Sequence, residues 1–322
     1  MSDKKNTLEW GKQYLQSKGY SIKETQVVIE TPWSLVIRYV TQKGDFYLKK
    51  TPPDLFIEPE VIKVIQNNLS DSATPTILAQ DESSHCYIMK SCGDQSLRSL
   101  FNGKLDAKLL ITGLQHYFKI LRSFENNQAT LEKIGVPDWR LNRLPHLYVE
   151  LLEKKTLLLN EGVTHTEIDK LKKLTSKIEL ICEFLNQQKV RETLVNADFN
   201  ESNMIMTDSN EKIAFIDWGE SVIAHPFFTI TSHLRSLARR YQLEISSPLL
   251  EGIRKNCLEC WLDRADLQAL EIIYEQILRL SPLFSVLAIE RLQLATQNKS
   301  KEKQNWFIAG FLRMLLESES ND

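Results

Sequence analysis

At 322 residues, with 42% hydrophobic and 25% charged content, the chain has the composition of a globular protein with room for two domains. A formal net charge of -2 supplies no basic field of the kind nucleic-acid binders carry, which argues against nucleic acid as a partner. Five scattered cysteines do not read as a disulfide framework, and the opening MSDKKNTLEWGKQ lacks the apolar core of a secretory leader, so a cytoplasmic location is expected.

No run reaches the roughly 18 consecutive apolar residues that a membrane-spanning helix needs, so no membrane partner is expected. Cys257 and Cys260 form a single C-x-x-C without two further ligands at zinc spacing, and both fall on the apolar side of a helical pattern, which reads as core.

In chain order, Leu8, Trp10, Tyr14 and Leu15 share one side of a helix from about Leu8 to Lys18, stopped by Gly19. Gln26 to Glu30 and Leu35 to Thr41 are rich in Val and Ile, and Lys43-Gly44 turns the chain into Asp45 to Lys50, so three antiparallel strands are expected. The loop between the first two, Thr31-Pro32-Trp33-Ser34, has no glycine. Pro52 and Pro53 end the third strand, and Pro59 suits the first turn of a helix running to Leu69. Thr76 to Gln80 and His85 to Lys90 complete the strand-rich part, after which Ser91-Cys92-Gly93-Asp94 changes composition abruptly, as a hinge does.

From Ser96 the pattern is helical. Leu105, Leu109, Leu110, Leu114, Tyr117, Phe118 and Leu121 keep a three-to-four spacing, as do Ile168, Leu171, Leu174, Ile178, Ile181 and Leu185. Between these runs lies Gly135-Val136-Pro137-Asp138-Trp139-Arg140, where Trp139 is expected in the core. His225, beside Pro226-Phe227-Phe228, reads as a packing residue. About four amphipathic helices follow, anchored by Leu249, Ile253, Trp261, Leu270, Ile273, Leu287, Trp306, Phe311 and Leu315.

The chemistry-bearing stretch is 194–220, LVNADFNESNMIMTDSNEKIAFIDWGE, in which two apolar runs flank a turn at Thr207 to Asn210. Asp198 stands five positions before Asn203, the D-x-x-x-x-N spacing of a kinase catalytic loop. Asp217 closes the run Ile213-Ala214-Phe215-Ile216 and is followed by Trp218-Gly219, the place of the kinase D-F-G aspartate. Phosphoryl transfer needs this set, because its catalysis is mostly positioning and charge neutralisation: one carboxylate orients a hydroxyl while an Asn and a second Asp hold metal against phosphates.

With both motifs in order, the sequence resembles the aminoglycoside phosphotransferase and choline kinase-like family, whose members carry an H-x-D-x-x-x-x-N loop and an I-D-W or I-D-F metal motif. The resemblance implies an α+β, two-lobed protein kinase-like fold. Residues 1–91 would form a small antiparallel-sheet lobe that binds nucleotide, and residues 92–322 a mainly helical lobe with the catalytic loop and acceptor site. It also implies phosphorylation of a small-molecule hydroxyl from ATP, or GTP, with magnesium (Mg2+).

The resemblance assigns roles to particular residues. Asp198 is the catalytic carboxylate, and Asn203 and Asp217 are the metal ligands. Lys49, in Phe46-Tyr47-Leu48-Lys49-Lys50, takes the place of the phosphate-contacting lysine, with Glu60 as its acidic partner and Glu58 as the second choice. Ser34 and neighbouring amides are the phosphate-covering loop's donors. Met89 to Cys92 lies at the adenine site, with Ile88 and Met89 as apolar walls. The sequence departs from the family at Asn196, where the histidine of H-x-D stands, and at Asn200, where many members place a histidine or lysine near the phosphates. A neutral Asn200 offers only a dipole there. A nucleotide-binding scaffold without turnover is therefore the alternative reading.

Overall fold

The computed structural model describes residues 2–69, 73–207, 212–297, 299 and 308–320. By internal contacts the chain divides into two compact units. The described residues within Met1–Leu100, Ser202–Gly219 and Leu292–Lys303 form the first, and those within Phe101–Glu201, Glu220–Arg291 and Gln304–Asp322 the second.

The first unit opens with α1 (Ser2–Ser17), six residues ahead of the expected start, followed by β1 (Ile22–Glu30), β2 (Leu35–Thr41) and β3 (Gly44–Lys50). Then come α2 (Glu58–Asn68), β4 (Ile77–Asp81), β5 (Cys86–Lys90), the two-residue β6 (Gln95–Ser96) and α3 (Leu97–Phe101). The five longer strands make one antiparallel sheet in the order β1-β2-β3-β5-β4. Because successive side chains of a strand face opposite ways, β3 sorts its residues onto two faces. Phe46 and Leu48 join Leu15, Ile37, Tyr39, Cys86 and Ile88 in a buried cluster under α1. Lys49 projects the other way, to α2, whose Val61, Ile62 and Ile65 are fully buried. Ile88 therefore belongs to the core beneath α1, opposite the Lys49 face, and its expected place as an adenine wall is corrected.

The second unit contributes α4 (Ala107–Arg122), α5 (Gln128–Lys133), α6 (Leu144–Glu153), α7 (Lys155–Asn160), α8 (His165–Lys173) and α9 (Thr175–Asn186), then β7 (Thr193–Asn196). The chain returns to the first unit for the short strands β8 (Met204–Met206) and β9 (Ile213–Phe215). Residues 208–210 of the expected turn between them lie outside the described residues. Back in the second unit, β10 (Ser221–Ala224), α10 (Phe227–Arg240), α11 (Pro248–Glu259), α12 (Leu267–Ala295) and α13 (Ile308–Ser320) follow, and α12 ends in residues of the first unit. Helices α4 and α8 start where side chains satisfy free amides of the first turn. Asp106 accepts from Leu109 N–H at α4, and Thr164 with Glu167 forms a capping box at α8.

The three-to-four spacing from Ile168 to Leu185 runs across two helices, because the ladder breaks at Leu174, where Thr175 Oγ1 donates to the Lys172 carbonyl. One position was misplaced in α11: Leu250 is buried and Leu249 is 40% exposed. Trp306 lies outside the described residues. In α12, Pro282 has no N–H for the Leu278 carbonyl, and the Ser281 hydroxyl supplies the missing donor at 2.8 Å. This helix has the length and apolar composition of a membrane-spanning one, yet 56% of its most apolar window is buried within the fold, as in the core helix of a packed protein.

Trp139 is buried against Phe284, and its segment runs beside β10 through Trp139 N–H to Ile223 O and Ile223 N–H to Pro137 O, both 2.8 Å. Cys257 is buried in α11 and Cys260 is partly buried just past its end, and burial pushes the Cys260 thiol up to about 11. His225 is fully buried, with Nδ1 accepting from Phe227 N–H, and burial lowers it from 6.5 to about 3.

Two outcomes follow from this packing. A methyl group on Gly93, whose φ is +152°, would stand 2.0 Å from the Met206 carbonyl oxygen, so Gly93→Ala is expected to destabilise the fold by about 1–3 kcal/mol. An unchanged denaturation midpoint would rule out this close approach. For His225 the unfolded chain takes up the proton first as pH falls. Its contribution is complete above about 6.5 and drains away toward 3, amounting to about 2 kcal/mol between pH 7 and 5. In His225→Asn the stability-against-pH curve should flatten over that window.

Candidate active site

Lys49 lies on the central strand β3, paired with Val36 of β2 and Tyr87 of β5, and is 6% exposed. A buried ammonium must find counter-charges, and Lys49 finds two. Its Nζ is 2.5 Å from Glu58 Oε2 and 2.5 Å from Asp217 Oδ1. Burial alone would lower the Lys49 ammonium, but the charges of Asp217 and Glu58 reverse this and hold it above its ordinary value. Burial, and then the Glu58 charge, pushes the neighbouring Tyr87 phenol well up, so it stays protonated.

The partner is Glu58 and not Glu60, which corrects the expected assignment. Positions two apart on a helix point about 200° apart, so only one of the two faces the sheet. Glu58 is 1% exposed and begins the buried stripe 58-61-62-65 of α2, whereas Glu60 accepts from Lys63 at 2.7 Å and Gln80 at 3.0 Å. The stripe was readable in the sequence, since Glu58 stands three, four and seven positions before Val61, Ile62 and Ile65.

The two expected metal ligands, Asn203 and Asp217, are joined by a hairpin. Met204 pairs with Phe215 across β8 and β9, and Ile216 N–H donates to the Asn203 carbonyl at 3.0 Å, so Asn203 and Asp217 sit at one open end. Asp217 has a φ of +64°, a left-handed value costly for a residue with a side chain. Trp218, buried, braces the turn through Nε1 to the Phe215 carbonyl at 3.1 Å. Gly219 follows in close quarters: a Cβ there would be 3.2 Å from the Leu55 carbonyl oxygen. The Asp217 side chain is 48% exposed although one oxygen is held by Lys49. One carboxylate and one amide oxygen are the hard donors that magnesium takes when phosphates and water complete its shell, so the residues fit that ion. Among the described residues no cluster of three or more His, Cys, Asp or Glu could hold a metal alone.

Ser34 closes its own loop, accepting at its carbonyl from Thr31 N–H and donating its N–H to Thr31 Oγ1 at 3.0 Å. Its hydroxyl is buried and has no hydrogen-bond partner among the described residues. Met89, 8% exposed, pairs with Tyr47 and Ile77, and Cys92 lies partly buried in the following segment.

In the second unit Asp198 follows β7, whose pairing with β10 is prolonged by Ala197 N–H to the Glu220 carbonyl. Asp198 is exposed, and its peptide is held from both sides. Asn196 Oδ1 accepts its N–H at 3.0 Å, and Asn200 Nδ2 donates to its carbonyl at 2.8 Å.

A sequence profile of the phosphotransferase enzyme family matches residues 29–265. The chain belongs to that family. Solved structures of similar fold include the GDP and kanamycin complex of APH(2")-IIia, with a TM-score of 0.61 and 14% identity, covering 98% of this chain and 99% of that one. Ethanolamine kinase of Plasmodium vivax gives a TM-score of 0.60 at 16% identity, covering 93% and 82%. The streptomycin-ATP-APH(2")-IIa ternary complex gives 0.57 at 16%, covering 91% and 95%. At such identities the likeness shows the kinase-like fold alone, which the antiparallel sheet and mainly helical remainder bear out. No curated protein sequence matches the chain.

For this phosphotransferase family member, the Lys49 pair separates two neighbouring glutamates. Glu58→Gln is expected to lower kcat/KM for MgATP by about 10- to 100-fold, because it loosens the residue that orients Lys49. Glu60→Gln should stay within about twofold, since that side chain serves Lys63 and Gln80. Equal effects of the two variants would refute the assignment.

Proposed function

We propose that the protein transfers the terminal phosphoryl group of ATP, or of GTP, to a hydroxyl group of a small molecule. The observation that carries this reading is Lys49 held between Glu58 and Asp217, a buried ammonium tied to a half-exposed carboxylate. Family membership and the D-x-x-x-x-N spacing support it.

In this reading Lys49 holds nucleotide phosphates, and Glu58 keeps its ammonium in place. Asn203 and Asp217 hold magnesium, which when bound neutralises charge on the phosphates. Asp198 accepts a hydrogen bond from the acceptor hydroxyl and so aims its oxygen at the phosphorus. It takes the proton as the new P–O bond forms and the bond to the leaving nucleoside diphosphate breaks. Met89 and Cys92 flank the base, with Met89 as an apolar contact. The two asparagines that depart from the family pattern hold the Asp198 peptide, so neutral residues serve loop geometry there. Ethanolamine, kanamycin and streptomycin, named for the neighbours, are amines that carry hydroxyl groups, and acceptors of that class come first for testing.

The test combines binding and turnover. ATP and GTP with magnesium should raise the melting temperature, and transfer to a hydroxylated amine should follow. Asp198→Asn is expected to lower kcat by about 100- to 10,000-fold with little change in nucleotide KM. Stabilisation by nucleotide without turnover across a broad acceptor panel would support the scaffold instead, and an Asp198→Asn variant of undiminished kcat would sink the assigned role.

A further inference from the structure

Asp198 is an exposed residue of the loop after β7, and the backbone of residues 196–199 sets where its side chain starts. Tyr117 of α4 meets that segment near both ends, at the Asn196 backbone N–H and at the Phe199 ring. Tyr117, fully buried on α4, accepts the Asn196 N–H at its phenol oxygen, 3.2 Å away. Its ring lies on Phe199 with centroids 3.6 Å apart and planes 14° from parallel. Aromatic pairs usually keep centroids about 4.5–7 Å apart, so this stack is tight. Phe199 is 6% exposed and also meets His233 of α10, so it is fixed from two sides.

We propose that Tyr117 is a positioning residue for Asp198: its hydroxyl fixes the N–H of Asn196, two residues before the aspartate, and its ring fixes the residue after it. The inference rests on the catalytic role assigned to Asp198. It adds a group that touches neither substrate nor metal and acts through the loop. The same Asn196 whose N–H is anchored by Tyr117 uses its Oδ1 to hold Asp198 N–H, so tilting the 196 peptide moves the cap on Asp198. A near-attack geometry tolerates little displacement, and errors of about 1 Å cost about 100-fold in rate. Burial raises the Tyr117 phenol above its ordinary range. The hydroxyl therefore keeps its proton throughout the neutral range, and the anchor is not expected to add a pH dependence.

Tyr117→Phe keeps the ring and removes the acceptor. The matched control is Tyr148→Phe, which removes another buried tyrosine's hydrogen bond in the same unit, from its hydroxyl to the Leu171 carbonyl at 2.7 Å. Two readouts apply: amide hydrogen exchange of the 194–200 segment, and steady-state turnover with MgATP as donor and water as acceptor. Tyr117→Phe should speed exchange there by about tenfold. It should also lower kcat by about 10- to 100-fold while nucleotide KM stays within about twofold. Tyr148→Phe should change neither, even if its melting temperature falls as far. Unchanged exchange in Tyr117→Phe, or an equal loss of kcat in Tyr148→Phe, would overturn the proposal. Asp198→Asn separates the layers. Lost turnover there with normal turnover in Tyr117→Phe refutes this inference alone, whereas normal turnover in Asp198→Asn refutes the catalytic role on which it rests.

Discussion

Everything in the first unit's site hangs on one buried ammonium. Lys49 sits on the central strand, and an uncompensated charge there would cost several kcal/mol, so two carboxylates are drawn to it. One comes from the first turn of α2, nine positions along the chain, and the other from 168 positions away, after β9. The ion pair thereby sets the rotation of α2 about its axis and the height of the Asp217 turn over the sheet. Removing either partner would leave charge in a dry place, which is more damaging than removing both. The left-handed backbone at Asp217 is strain that this pairing, Trp218 and the close fit at Gly219 hold in place.

The loop of the second unit is held by different means. Around Asp198, amide side chains and an aromatic stack hold the loop. Asn196 and Asn200 grip the two sides of its peptide, and Tyr117 grips the flanking residues. An asparagine at the histidine position can perform this task because its side-chain oxygen reaches the N–H two residues on, the geometry of an Asx turn. The departures at 196 and 200 thus have a structural use in the aspartate's own setting.

How much of this was legible beforehand depends on the range of the interaction. The strands around Lys43-Gly44 showed in β-branched runs and a turn signal, and their register follows from burying one face. Asp198, Asn203 and Asp217 were legible because their motif is a fixed spacing along the chain. Glu58 was ranked second although the 58-61-62-65 stripe passes through it, because the Pro59 turn drew the choice to the acid beside the apolar run. Ile88 was misplaced by treating neighbouring strand residues as co-facial when they alternate. Tyr117 looked like one more apolar position of α4. Its partner Asn196 is 79 positions away, and no local pattern encodes a hydrogen bond across that separation. The break at Leu174 was invisible because the apolar spacing continues through it.

A short strand carries the last link. β8 has three residues, and its two ends serve different groups. At one end Asn203 is bonded to Ile216, just before Asp217. At the other the Met206 carbonyl fits against Gly93, where a Cβ would come within 2.0 Å, and beside it β8 pairs with Gln95 and Ser96. Three residues of extended chain measure on the order of 10 Å. That strand therefore fixes the separation between the segment that follows β5, which includes Cys92, and the pair Asn203 and Asp217. In the proposed function, a nucleoside triphosphate with its base near Cys92 and its phosphates near Asp217 spans that separation. A glycine is required at position 93 because the strand's far end must come within backbone contact of the chain there.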